Sequence, residues 1–188
     1  MNTDTFNKIY KRVNERVHSL VFKSSYRKTD LKLSLWQRYL IMKSIIDFKR
    51  CLKQYPKHWP SMFLLGKIYQ RLGRFDLALT LFESAYTIEK NNIDVLREAS
   101  LSSLHVDNIE KAIFYSDNSL KLKPNDITLL GNHAMNLLIA NRDIEAKEFI
   151  KKAIDIDSDN IINNDIKMVI DSVISGNMKR MTCKDTVK

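Results

Sequence analysis

The sequence predicts an all-α chain built from repeated helix pairs, and three observations carry that prediction. Small residues recur in phase: Ala78, Ala112 and Ala146 stand 34 residues apart, as do Ala85, Ser119 and Ala153, while Lys90, Pro124 and Ser158 close each period. Four Gly and three Pro among 188 residues leave few helix breakers, and Leu, Ile, Ala and Lys are plentiful. Between 59 and 92 the apolar pattern reads as two short amphipathic helices joined at Gly73.

Taken in order, the chain opens with an amphipathic basic helix from Asp4 to about Lys23. Phe6, Ile9, Tyr10, Val13, Val17, Leu20 and Val21 recur at three- and four-residue steps, and Lys8, Lys11, Arg12, Arg16 and Lys23 take the remaining surface. Two roles fit it: docking its apolar stripe on the open end of a helix stack, or binding an anionic membrane or nucleic-acid surface. Ser24 to Thr29 reads as a connection, with Asp30 as N-cap of a helix from Leu31 to Gln54. The second half of that helix is in phase with the repeat, Ser44, Phe48 and Cys51 standing 34 residues before Ala78, Phe82 and Ala85. Residues 1–58 therefore hold the basic helix and a degenerate leading repeat whose second helix extends backwards.

Helix pairs follow at 60–72 and 75–88, at 93–105 and 109–121, and at 126–140 and 143–156. Gly73 supplies the left-handed residue of the first turn, Pro124 stops the fourth helix of this series, and Asn125-Asp126 and Asn141-Arg142-Asp143 supply caps. Ile161, Ile162, Ile166, Val169, Ile170, Val173 and Ile174 pattern a final helix over 161–176 that covers the last apolar face. The polar stretch 177–188 reads as a disordered tail.

Leu65-Gly66, Tyr69, Gly73, Ala78, Phe82 and Ala85 stand at the spacing of the tetratricopeptide repeat, and the chain resembles that family. Small residues at the crossing points let neighbouring hairpins approach closely. The resemblance implies a right-handed α-solenoid of antiparallel helix pairs with three units, 59–92, 93–126 and 127–160. The later units are degenerate: Ala99-Ser100 replaces the Leu-Gly pair, Ser103 the tyrosine and Ser116 the phenylalanine, and His133-Ala134 and Leu137 depart similarly.

Charge is unevenly spread. Residues 1–58 carry 14 Lys/Arg against 4 Asp/Glu, whereas residues 59–160 carry 12 against 15. The basic balance belongs to the N-terminal third. No apolar run approaches the length of a membrane span, and the opening residues lack the apolar core of a secretory signal. Cys51 and Cys183 have no paired spacing. A cytoplasmic protein without a disulfide framework is expected.

By resemblance, one stripe of each first helix lines a concave groove. Here it comprises Phe63, Lys67, Gln70 and Arg71, then Arg97, Leu101, Leu104 and His105, then Met135, Leu138 and Ile139. Its early part is cationic and its later part apolar, which suits a partner peptide or helix with acidic and apolar portions. The same residues also fit packing against the chain's own N-terminal helix, or ordinary surface. Family members that clamp acidic chaperone tails use Lys and Asn at two positions that are here Phe63 and Lys67, so that activity is disfavoured. The short layout also resembles secretion chaperones of this family.

Catalytic and metal chemistry find no constellation. His18, His58, His105 and His133 fall in separate elements without ligand spacing, and His133 takes a packing position. Cys51 takes a repeat-contact position, and glycine-rich phosphate loops are absent. The expectation is a non-catalytic interaction module, adaptor or chaperone-like, needing no cofactor. Two other readings stay open. One is binding to nucleic acid or a membrane surface through the basic helix with Arg27, Lys28, Lys32 and Arg38; the other is a homodimer that buries Trp36, Tyr39 and Trp59.

Overall fold

The structure, a computed structural model, describes residues 3–22, 33–183 and 185, and among them nine α-helices and no strand. It divides into two compact units, 1–90 and 91–188. The expected connection at 24–29, the Asp30 cap, and Lys23, Arg27, Lys28 and Lys32 lie outside the described residues.

Unit 1 holds α1 (Thr3–Val17), prolonged by a π-helical turn (His18–Phe22), then α2 (Leu35–Gln54), α3 (Trp59–Arg71) and α4 (Phe75–Ile88). α2 begins at Leu35 rather than Leu31. Ser34 Oγ accepts from Gln37 N and the Gln37 side chain accepts from Ser34 N, a reciprocal capping box that outcompetes an earlier start. α1 buries Phe6, Val13 and Val17. Phe6 packs edge-on to Tyr55 at 4.4 Å and to His58 at 5.0 Å, and Tyr10 meets His58 at 4.9 Å, so aromatic contacts seat α1 on the α2–α3 junction. The apolar side of the basic helix thus packs within unit 1.

Unit 2 holds α5 (Ile93–His105), α6 (Ile109–Leu122), α7 (Ile127–Ile139), α8 (Asp143–Ile156) and α9 (Ile161–Ile174). Its core gathers Leu129, Leu130, Ala134, Leu137, Leu138, Ala146, Ile150, Ala153, Ile170 and Val173. α9 covers α7 closely: a side chain at Gly131 would run into Asn163, whose amide donates to Ile127 O at 3.2 Å.

The 34-residue period is written in the backbone as well as in the side chains. His58, Asn92, Asp126 and Asn160, each 34 residues from the next, are N-caps whose side chains accept backbone N–H groups. Gly73, Asp107 and Asn141 all adopt positive φ, at 69°, 62° and 61°. At each, the same two bonds close the helix: Gly73 N and Arg74 N donate to Gln70 O and Tyr69 O, and the pairs at Asp107-Asn108 and Asn141-Arg142 repeat the pattern. Holding a non-glycine residue there costs about 1 kcal/mol, which the closing bonds offset. Ser44, Ala78, Ala112 and Ala146 are all fully buried, as are Cys51, Ala85 and Ala153, with Ser119 at 1% exposure.

The stretch after α9 is a correction. Residues 177–183 are not a loose tail, because Arg180 makes a bidentate pair with Asp143 at 2.7 and 2.8 Å and donates to Leu138 O at 2.6 Å. Met178 N donates to Ser172 O at 3.0 Å, and Cys183 is buried with its thiol hydrogen-bonded to Asp107.

Candidate functional site: a polar-floored cleft in unit 2

The starting point is one pair of positions. In unit 1, Gly66 faces the ring of Phe82, and a Cβ on residue 66 would stand 2.7 and 2.8 Å from two ring carbons. Thirty-four residues on, the pair becomes Ser100 and Ser116. Removing the ring lets residue 100 carry a side chain and leaves space that it does not fill. A cleft of about 260 Å³ opens there, with Ser100, Ser116 and Ser119 on its floor. Leu101, Leu104, Leu129 and Met135 form its walls, and Arg97, Glu98 and Asn132 complete the lining.

The floor is held by hydrogen bonds. Asn136, 3% exposed, directs its amide nitrogen to Ser100 Oγ at 3.1 Å, Ser116 Oγ at 3.1 Å and Ala112 O at 3.3 Å. Ser100 Oγ donates to Ala112 O at 2.9 Å. Ser116 lies 3.1 Å from Ile113 O and 2.7 Å from His133 Nδ1. His133 also meets the Phe149 ring edge-on at 4.6 Å, and burial holds its pKa below the usual imidazole value, outweighing the opposing pull of Asp117. These satisfied groups fix the floor as a rigid polar surface under apolar walls.

Four of the eleven expected groove residues line this cleft: Arg97, Leu101, Leu104 and Met135. Leu138 and Ile139 do not, being 1% and 9% exposed. α9 covers their helix and Arg180 binds the Leu138 carbonyl, so this end of the stripe belongs to the core. His105 is half-buried at the end of α5, with burial lowering its pKa. In unit 1, Phe63 stacks obliquely on Phe82 at 5.7 Å, and Lys67 and Gln70 are buried at 2% and 8% exposure. A buried ammonium is not an open cationic wall. Arg71 is half-buried, with its Nε lacking an acceptor.

The cationic character expected of the groove is corrected as well. Arg97 at the cleft mouth pairs with Asp94 at 3.0 Å and Glu98 at 3.6 Å, so its charge is compensated within α5. The residues missed by the sequence reading are the floor and rim: Glu98, Ser100, Ser116, Ser119, Leu129, Asn132 and Asn136. Their signal was the joint loss of glycine and phenylalanine in the second unit. Among the described residues no group of three or more His, Cys, Asp or Glu could hold a metal ion, and no helix is long and apolar enough to cross a membrane. Burial pushes the thiol pKa of Cys51 up, which keeps it protonated and unreactive at neutral pH.

Residues 60–92 match the tetratricopeptide repeat. No curated protein matches the chain in sequence. Among solved structures, the chain is similar to MamA, with TM-score 0.67 and 15% identity over 78% of this chain and 87% of that one. YrrB, described as a tetratricopeptide repeat protein with an unusual peptide-binding site, gives TM-score 0.63 and 16% identity over 88% and 86%. The first tetratricopeptide repeat domain of Spaghetti (RPAP3), bound to the HSP90 peptide SRMEEVD, gives 0.57 and 11% over 62% and 93%. At these identities the likeness is one of fold, an all-α solenoid of helical repeats. With caps, turns and small contact residues recurring in the same phase, the chain is an all-α solenoid of helical repeats that carries a tetratricopeptide repeat at 60–92.

Proposed function

We propose that this protein is a non-catalytic interaction module whose unit 2 cleft holds an apolar side chain from an extended segment of a partner protein. The observation that carries the reading is the replacement of Gly66 and Phe82 by Ser100 and Ser116, which leaves a cleft where the first repeat has a packed ring. A space of about 260 Å³ admits one or two side chains and is smaller than typical small-molecule sites. Apolar walls supply the burial term, and Asn132 and Arg97 at the rim offer donors for peptide carbonyls. The peptide-binding of YrrB and of the Spaghetti domain supports the reading by analogy of fold. An adaptor or chaperone-like role, with repeats at 59–92, 93–126 and 127–160 between a leading repeat and a capping helix, is the organisation we infer.

Selection of displayed random peptides on the full chain tests it. The expected result is enrichment of sequences with a shared large apolar residue, lost with the double variant Arg97→Glu and Leu101→Asp. Both positions are substantially exposed, so the melting temperature should hold. Unchanged enrichment by that variant would place the binding site elsewhere.

A further inference from the structure

α2 is longer than its repeat requires. The equivalent helices α4, α6 and α8 each have 14 residues, whereas α2 has 20, and the surplus lies at its start. That surplus carries Leu35, Trp36 and Tyr39, which are 85%, 66% and 52% exposed, and the stripe continues through Met42 and Ile46 at 55% and 52%. At roughly 100° per residue these side chains share one face of the helix. The repeat gives no reason for it. The positions equivalent to Met42 and Ile46 are Asp76 and Thr80 in α4, Glu110 and Phe114 in α6, and Ile144 and Glu148 in α8, so every other unit places at least one polar residue there.

The rest of that face is cationic. Arg38 and Lys49 flank the stripe on one side and Lys43 and Arg50 on the other, with Lys53 beyond its end, and α2 exposes no acidic side chain. Its one carboxylate, Asp47, is buried and already shared by three guanidiniums: Arg16 at 3.4 Å, Arg12 at 3.8 Å and Arg50 at 3.9 Å. Three cations on one anion leave an excess of positive charge beside the apolar stripe. Trp36 and Tyr39 stack at 5.3 Å, with Lys43 Nζ 5.9 Å from the Tyr39 ring centre.

We propose that this face of α2 seats unit 1 on an anionic lipid surface. The apolar side chains enter the headgroup and acyl boundary, the indole and phenol lie at headgroup depth, and the flanking Lys and Arg meet lipid phosphates. A second copy fits this face poorly, because a two-fold contact would bring cationic flanks together with no exposed carboxylate on α2 to answer them. A groove that receives a partner helix is walled by more than one element, whereas the exposed stripe lies along α2 alone.

The test is co-sedimentation of the full chain with vesicles of equal parts phosphatidylglycerol and phosphatidylcholine, against vesicles of phosphatidylcholine alone. Retention on the anionic vesicles is expected, falling at least tenfold with Trp36→Ala plus Ile46→Ser and severalfold with Lys49→Gln plus Lys53→Gln. All four positions are exposed, and an unchanged melting curve establishes that the variants remain folded. Absence of sedimentation with anionic vesicles overturns the proposal. So does sedimentation indifferent to the Trp36 and Ile46 changes, which would assign the lipid contact to other cations. A mass doubled by wild type but not by that variant, without vesicle binding, would give the face to a second copy and overturn it equally.

Discussion

Above Gly66 in unit 1 lies the ring of Phe82, fully buried; at the equivalent place in unit 2, Ser116 lies near Ser100 and the space between walls stays open. The first arrangement gains stability from apolar area and close contact, and requires glycine because the ring occupies the place of a Cβ. The second satisfies buried polar groups through Asn136 and His133 and leaves a cavity at the surface. One helical frame thus supports a dry packed repeat and a repeat with an interior recess, and the difference rests on two residues and their partners. Packing closes the interior of the first, and the recess gives the second the space on which the proposed binding role rests.

Transplanting the second solution into the first should fail in an informative way. Phe82→Ser removes a fully buried ring, and a loss of about 3–5 kcal/mol is expected in denaturant unfolding. Adding Gly66→Ser should restore about 1 kcal/mol, since a hydroxyl there stands toward Ala78 O as Ser100 stands toward Ala112 O. A Phe82→Ser variant as stable as wild type would mean the ring does not organise unit 1.

The units are also expected to share a sensitivity to acid, with a second cause added at His58. Burial lowers the pKa of His58 in unit 1 and of His133 in unit 2. The unfolded chain, with imidazoles near 6.5, then takes up protons before the folded chain does. Stability contributed by the neutral rings is complete above about pH 6.5 and declines as pH falls through that value toward the folded pKa, by at most roughly 1.4 kcal/mol per pH unit for each histidine. At His58, protonation also converts the Nδ1 that accepts from Ser61 N, at 3.3 Å, into a donor and removes the cap of α3. His58→Asn keeps a capping acceptor, as Asn92 and Asn160 do, and should flatten the acid side of the stability curve; His133→Gln should do the same from the other unit. Equal acid slopes in wild type and both variants would contradict the assignment.

Much of this frame was legible in the sequence because its signals are local. The phased alanines, the turn at Gly73 and the capping side chains act on their own neighbours, and the helices between 59 and 174 begin and end within a residue or two of the sequence reading. What could not be read required knowing which residues come together. Lys67 reads as surface by type yet is buried, and Leu138 and Ile139 read as groove yet are covered once α9 and Arg180 close over α7. The cleft itself was visible only as missing residues: Ser100 and Ser116 register as degeneracy until the space left by the ring is seen. The start of α2 was misplaced because Asp30 and Ser34 are both competent caps, and only Ser34 has Gln37 three residues on to complete the box.

The ends of the two units differ in the same sense as their interiors, aromatic in one and polar in the other. Unit 1 is closed by Phe6 and Tyr10 on Tyr55 and His58, while the last stretch of unit 2 is fastened by Arg180 on Asp143 and Leu138 O. The Arg180 guanidinium holds the Asp143 carboxyl below its usual pKa, and both side chains remain about a third exposed, so solvent screens the pair. Arg180→Ala should therefore lower stability by only about 1 kcal/mol, the smallest effect here. Its signature lies in hydrogen exchange rather than in melting: Met178 N, bonded to Ser172 O, should lose protection while the amides of α7 and α8 keep theirs. If α7 lost protection as well, the fastening would be integral to the core of unit 2, and the contrast between a packed end and a tethered one would no longer stand.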